Sequence, residues 1–339
     1  MQQRQPGSSP DEESRVSHTV SSEFRELVAA RLALVEEELG RQAGADTPFV
    51  TEAANHIIAA GGKRFRPLLV VLCSHFGGQV DDDDLVRAAV VMELTHVASL
   101  YHDDVMDEAA LRRGAESANQ RWGNSVAIMV GDFLFARASS VVAELGTDYV
   151  RLQAATFARL VQGQIAETKG PEAGEDPLAH YLSVVADKTG SLIAAAAVFG
   201  GMVSGADDEV LEALGRFGEE IGQVFQLSDD IIDITSTRTG KTPGTDLREG
   251  VPTLPTLMLR ASHDPADAPL RELLDADLSD DATLERALDG LRANHVIDEA
   301  RAEIQRRADR ARALLSTLPQ GEAREALEAL CDDVVTRSS

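Results

Sequence analysis

The sequence predicts an all-α protein, a single large helical bundle, and three observations carry that expectation. Apolar residues recur at spacings of three and four through most of the chain, the period of an amphipathic helix. No stretch alternates apolar and polar residues as a half-buried strand does. The Gly and Pro clusters that interrupt the pattern are neither long nor polar enough to link two domains. With 339 residues, 43% of them apolar, there is material for one large core.

Taken in order, residues 1–22 are rich in Gln, Ser, Pro and acids and lack the apolar centre of a signal peptide. They read as a disordered polar tail ahead of one domain over 23–339. Helical periodicity runs through 24–39, 86–105, 126–145 and 152–165, and again through 210–234, 297–315 and 323–335. Breaks fall at Gly61-Gly62, Gly77-Gly78, 170–177, 240–244 and 250–255. The longest apolar stretch, 192–203, contains Gly200-Gly201 and falls short of the ~20 residues a membrane span needs. It reads as a buried helix, and no transmembrane segment is expected. A net charge of -25 argues against nucleic acid, whose phosphates would be repelled. Two cysteines, Cys73 and Cys331, exclude a disulfide framework and suit a cytoplasmic location.

Chemistry enters with the pattern Asp-Asp-x-x-Asp, which occurs at Asp103-Asp104-Val105-Met106-Asp107 and again at Asp229-Asp230-Ile231-Ile232-Asp233. Residues i and i+4 share a helix face, so each copy aims two carboxylates in one direction with a third beside them. Adjacent Asp pairs elsewhere (81–84, 207–208, 280–281, 332–333) lack this spacing and read as helix-start and loop carboxylates. The two spaced motifs instead lie in apolar runs, where clustered carboxylates lose hydration and need a cation. Two such faces turned together form a cage of hard oxygens suited to Mg²⁺ shared with a substrate's phosphates.

Cations gather near them. Lys63, Arg64 and Arg66 stand at a Gly-softened helix entry, and Arg112-Arg113 lies just beyond the first motif. Either group alone reads equally as a solvated basic turn. Lys188-Thr189-Gly190 interrupts a helical stretch; a Gly there either frees carbonyls to face a developing cation or simply caps a helix. Gln226 precedes Asp229 on nearly the same face, Lys241 lies in a Gly-rich segment able to close over a diphosphate, and His96 lies two turns before Asp103. A lone helical His is as readily a core residue.

Gly61-Gly62-Lys63 with Pro67, His96, His102-Asp103-Asp104 with Asp107, and Arg112-Arg113-Gly114 together resemble a trans-type isoprenyl diphosphate synthase. Matching blocks continue at 123–127, Gly131-Asp132, Gln162-Gly163-Gln164, Lys188-Thr189, Gln226 with Asp229-Asp230 and Asp233, and Gly240-Lys241 with Gly244-Thr245-Asp246. The ordered set, over roughly residues 50–260, is far more specific than any one block. The resemblance implies a helical bundle around a central cavity, paired as a homodimer. It implies that Asp103, Asp107 and Asp229 bind Mg²⁺ directly (about three ions per site), with Asp104, Asp230 and Asp233 supporting the metals or their waters. Arg112, Lys188, Thr189, Gln226 and Lys241 would hold the allylic diphosphate, with Lys188, Thr189 and Gln226 counted as catalytic. Lys63, Arg66, His96 and Arg113 would hold isopentenyl diphosphate. Many relatives carry Lys where Val251 stands, so one phosphate contact is expected to be missing.

A growing prenyl chain needs an apolar channel beneath the first motif. Ala98 and Ser99, five and four residues before Asp103, are small, which in this family resembles makers of longer chains, about C30 to C50. Tyr101 should point away from that face, and Phe157 is the candidate floor. Geranylgeranyl synthesis is the alternative product. A class I terpene cyclase and a non-catalytic subunit of a heteromeric synthase are rival readings. The complete second motif argues against both.

Overall fold

The computed structural model describes residues 20–235 and 243–337. The polar tail therefore lies, but for its last three residues, outside the described residues, as does Lys241. The described chain is nearly all helix. It opens with α1 (Ser22–Gln42), α2 (Pro48–Ala59), α3 (Phe65–Cys73) and α4 (Asp82–Met106). A hairpin of two-residue strands, β1 (Leu111–Arg112) and β2 (Ala115–Glu116), leads to α5 (Ala118–Trp122), α6 (Asn124–Leu145) and α7 (Thr147–Lys169). Then come α8 (Pro177–Val185), α9 (Ser191–Val203), α10 (Asp208–Thr235), α11 (Thr245–Glu249) and α12 (Leu254–Ala261). The chain ends with α13 (Ala268–Leu274), α14 (Asp281–Arg292), α15 (Val296–Leu315) and α16 (Glu322–Thr336).

The bundle is built around α4. Its middle turns, Ala88 to Ala98, are buried on every side but for His96, and it packs against α1, α3, α6 and α9. Asp81 caps its start by accepting from the backbone N–H groups of Asp83 and Asp84, so this acidic run is a helix entry, as its composition suggests. On the other side α10 packs on α9 and α15. A smaller cluster of buried residues joins Ile234, at the end of α10, to α11, α12 and α14. Both spaced Asp motifs thus close long helices whose upstream turns are held in the core.

Two local features escape the periodicity. Arg113 (φ 53°) and Gly114 (φ 78°) both lie in the left-handed region, the pair of conformations a two-residue hairpin turn requires. The turn pairs Leu111 with Glu116 and Arg112 with Ala115, strands too short to leave an alternating pattern. The second feature is a π-helical turn at Ala186–Gly190, where the Ser191 N–H bonds to the Ala186 carbonyl. Gly190 has an ordinary right-handed φ of -59°, so it caps nothing and the helix continues. The apolar stretch 192–203 is therefore the end of a longer run.

By length and composition two runs, Asn124–Leu145 and Pro177–Val203, are able to cross a membrane. The second is mostly buried within the bundle and carries Asp187 and Lys188. The first packs one face on α4.

Candidate active site

Helices α4 and α10 end in the two Asp motifs, at the termini where unpaired carbonyls leave partial negative charge. In each motif the middle carboxylate is turned inward and taken by protein groups. Asp104 is fully buried and accepts from Nε and Nη2 of Arg112, both at 2.6 Å. Asp230 is buried and accepts from the Leu254 backbone N–H (3.0 Å), Gln226 Nε2 (3.3 Å) and the Tyr181 hydroxyl. The outer residues Asp103, Asp107, Asp229 and Asp233 keep access to solvent. The middle member of each motif is thus fixed to the scaffold while the outer pairs lie on the open side, Asp229 beside Lys63 and Arg337 and Asp233 accepting from the backbone N–H groups of Thr245 and Asp246 at 3.3 Å.

The electrostatics of these acids are unfavourable without a cation. Burial pushes Asp103 up to about 6, with Asp107 and Glu167 adding repulsion and Lys188 opposing it. Burial raises Asp107 as well, and pushes Asp230 up to about 7 despite its three donors. Glu249 of α11 is also raised, by desolvation and then by Asp107 and Asp233. One acid therefore feels a carboxylate from each motif, so the motifs face a common space.

A cationic shell surrounds them. Lys188, in the π-turn, reaches Glu167 Oε2 at 2.5 Å and is the main charge opposing the shift of Asp103. Thr189 donates to Gln226 Oε1 at 3.3 Å, tying the π-turn to α10 three residues before Asp229. Lys63 (3.7 Å) and Arg337 (3.2 Å) both approach Asp229, and both sit over the Phe225 ring at 5.2 Å. Behind the hairpin a second group forms. Arg113 donates to the carbonyls of Ile57 (3.0 Å) and Gly61. Arg66 is buried with its Nε unpartnered, and burial lowers it to about 10. His96 is held well below its ordinary value by burial and by Arg66, Arg113 and Arg112, so it is neutral. A buried guanidinium short of an acceptor beside further cations is a pocket for an anion. The buried carboxylate of Glu93 meets Arg64 at 3.1 Å and Arg113 at 3.9 Å and partly balances this charge.

The structure thus brings together Asp103, Asp107, Lys188, Thr189, Gln226 and Asp229, and separately Arg66, His96 and Arg113. It places Arg112 on Asp104, between the two groups. Ala98 and Ser99 are buried in α4, and Tyr101 turns from them to α2, donating to the Ala53 carbonyl at 2.5 Å. Phe157 is half-buried and stacks on Phe135 at 4.1 Å. Residues that the sequence did not single out are Glu93, Glu167, Tyr181, Glu249 and Arg337. Glu93 leaves a signal, an isolated acid in the apolar run 88–98. The others meet the site only through the fold.

Among the described residues no three His, Cys, Asp or Glu side chains converge tightly enough to enclose a metal unaided. The donor set still fits a hard divalent cation that takes further oxygens from a diphosphate: desolvated carboxylates at two helix C-termini with cations at the rim. The sign of the pH dependence follows. A carboxylic acid with a raised folded pKa keeps its proton where the unfolded chain has lost it. The contribution of Asp103 is therefore present below the ordinary aspartate value of 3.8 and lost as pH rises toward about 6, and that of Asp230 toward about 7. Asp103 and Asp230 are expected to erode the melting temperature of the metal-free protein over this window, and Mg²⁺ to restore more of it at pH 8 than at pH 5. Thermal melts with EDTA or Mg²⁺ at both pH values check this, and equal restoration at both would refute it.

A sequence model of the polyprenyl synthetase family matches residues 47–291. Nonaprenyl diphosphate synthase of Mycobacterium tuberculosis is 48% identical over 316 residues, 93% of this chain and 94% of that protein. The crystal structure of a geranylgeranyl pyrophosphate synthase from Corynebacterium glutamicum, complexed with calcium and isoprenyl diphosphate, superposes with a TM-score of 0.84 at 44% identity. It covers 94% of this chain and 98% of that one. A polyprenyl synthase from Caulobacter crescentus, also complexed with calcium and isoprenyl diphosphate, gives a TM-score of 0.86 at 33% identity. The shares are 95% of this chain and 100% of that one.

Proposed function

Because the chain belongs to the polyprenyl synthetase family, we propose that it is a prenyltransferase adding isopentenyl diphosphate head-to-tail to an allylic diphosphate. Its product is an all-trans chain of about C30 to C50. The observation that carries this reading is the shared space of the two Asp motifs, with Lys188, Thr189 and Gln226 on its wall. Asp103, Asp107 and Asp229, supported by Asp233, would hold Mg²⁺ together with the allylic diphosphate, and the ions would neutralise the leaving group's charge. Asp104 and Asp230 act one step back, through Arg112 and Gln226.

The chain's own residues do the rest. Lys188, Thr189, Gln226, Arg112 and Lys241 orient the allylic diphosphate, so that its C1–O bond breaks with both electrons leaving on the pyrophosphate. Arg66, Arg113, Lys63 and neutral His96 hold the isopentenyl diphosphate, whose double bond attacks C1. The proton then lost from C2 passes to the released pyrophosphate, since the site's carboxylates would be committed to metal. Buried Ala98 and Ser99 leave room for the chain beneath the first motif and help exclude water that would quench the cation.

Two further readings attach. A homodimer covers the apolar side chains left exposed on α6 (Ile128, Met129) and α7 (Val150, Val161, Ile165). Cytoplasmic residence suits the two buried, unpaired cysteines. The test is a Mg²⁺-dependent assay with labelled isopentenyl diphosphate and farnesyl diphosphate, resolving products by length. A ladder ending at one long product is expected. A ladder ending at C20 from a shorter primer assigns geranylgeranyl synthesis instead, and no incorporation with any primer overturns the reading.

A further inference from the structure

We infer that Arg159 is a positioning residue, the clamp that fixes the π-turn carrying Lys188 and Thr189; this rests on the proposed diphosphate chemistry of that site. Helix α7 presents Arg159, Gly163 and Glu167 at four-residue spacing, hence on one face, and all three meet the same turn. Arg159 donates Nε to Asp187 Oδ1 at 2.5 Å and Nη2 to the Ala186 carbonyl at 3.4 Å. The same guanidinium makes a two-pronged pair with Glu219 of α10, through Nη1 to Oε1 and Nη2 to Oε2, the latter at 3.1 Å. One rigid fork thus ties the start of the π-turn to a second helix.

Beside it the backbone fits without slack. A Cβ on Gly163 would stand 2.7 Å from the Lys188 backbone nitrogen, and one on Gly222 would stand 2.8 Å from the Gly190 Cα. The turn is pinched between α7 and α10, with Glu167 holding the Lys188 ammonium beyond it. A π-turn is a departure from the helix ladder that its surroundings must maintain. Here Gly163 and Gly222 supply the space, and Arg159 supplies the attachment that decides where Lys188 and Thr189 point.

Arg159 sits behind the turn and, among its contacts, meets no residue assigned to isopentenyl diphosphate. Loss of the clamp should therefore reach one substrate only. In Arg159→Met, the KM for the allylic diphosphate should rise, or kcat fall, by about 10- to 100-fold, with the KM for isopentenyl diphosphate unchanged. Arg159→Lys should recover part of the loss, since a single ammonium cannot span Asp187 and Glu219 together. Combined with Lys188→Ala, Arg159→Met should add little. Calorimetric binding of inorganic pyrophosphate with Mg²⁺ keeps the test independent of turnover, and it should weaken about 10-fold or more in Arg159→Met. If wild type binds pyrophosphate but makes no product, the proposed reaction fails while the clamp stands. Unchanged pyrophosphate affinity, or equal changes in both KM values, overturns the clamp. Should Arg159→Met fail to fold, Glu219→Gln removes one attachment and the same split decides the matter.

Discussion

Asp103→Asn is expected to lower kcat about a thousandfold at saturating Mg²⁺ while leaving the helical fold intact. Asn keeps the shape of the side chain and removes its charge. Charge neutralisation by bound metal contributes several kcal/mol to such a step, and each tenfold in rate is about 1.4 kcal/mol of barrier. The fold does not depend on that charge. Asp103 is desolvated and repelled by Asp107 and Glu167, which is why it is pushed up to about 6. Removing it should leave the melting temperature of the metal-free protein at pH 8 unchanged or higher, the opposite sign to the loss of activity. Asp104→Asn should behave differently. That carboxylate is buried against Arg112, and neutralising it strands a guanidinium, so stability and activity fall together. Steady-state kinetics and melts on both variants separate the roles. Near-normal turnover by Asp103→Asn would sink the metal-cage account.

What the sequence shows of this molecule follows the range of its physical signals. The long helices are legible because burial of one face imposes a period, and the Asp motifs because i, i+4 carboxylates in an apolar run have few other uses. Within each motif, however, nothing local distinguishes Asp104 from Asp103, or Asp230 from Asp229. The inward turn of the middle residue is fixed by Arg112 across a hairpin and by Tyr181 and Leu254 from distant helices. The π-turn is hidden for a related reason. Gly190 looks like a helix terminator, yet it lies inside a continuing helix, packed so closely on α10 that a Cβ on Gly222 would stand 2.8 Å from its Cα. Arg337 and Glu249 reach the site only because α16 and α11 fold back onto α10. Contacts of this kind belong to the assembled bundle.

The second large effect concerns product length. Ala98 lies five residues before Asp103, about 7.5 Å along the axis of α4 at about 1.5 Å per residue, and it is fully buried. A chain anchored by its diphosphate at the motif and running down this helix passes Ala98 after its first few isoprene units. Ala98→Phe raises a floor there, and the product ladder should stop at least about two isoprene units short of the wild-type length. Turnover of short primers should persist, because the diphosphate contacts at Asp103, Lys188 and Gln226 are untouched. Insertion of a ring into a packed helix also costs about 1 to 3 kcal/mol, so the variant's melting temperature must be measured beside its products. A uniform loss of activity with an unchanged ladder would mean damage rather than a floor, and would take this face of α4 out of the channel. Phe157→Ala probes the other end. If Phe157 closes the channel, its removal lengthens the ladder. If Phe157 only packs on Phe135, the ladder holds and stability alone declines. Shortening by Ala98→Phe with no lengthening by Phe157→Ala would place the channel along α4 and its floor on a residue other than Phe157.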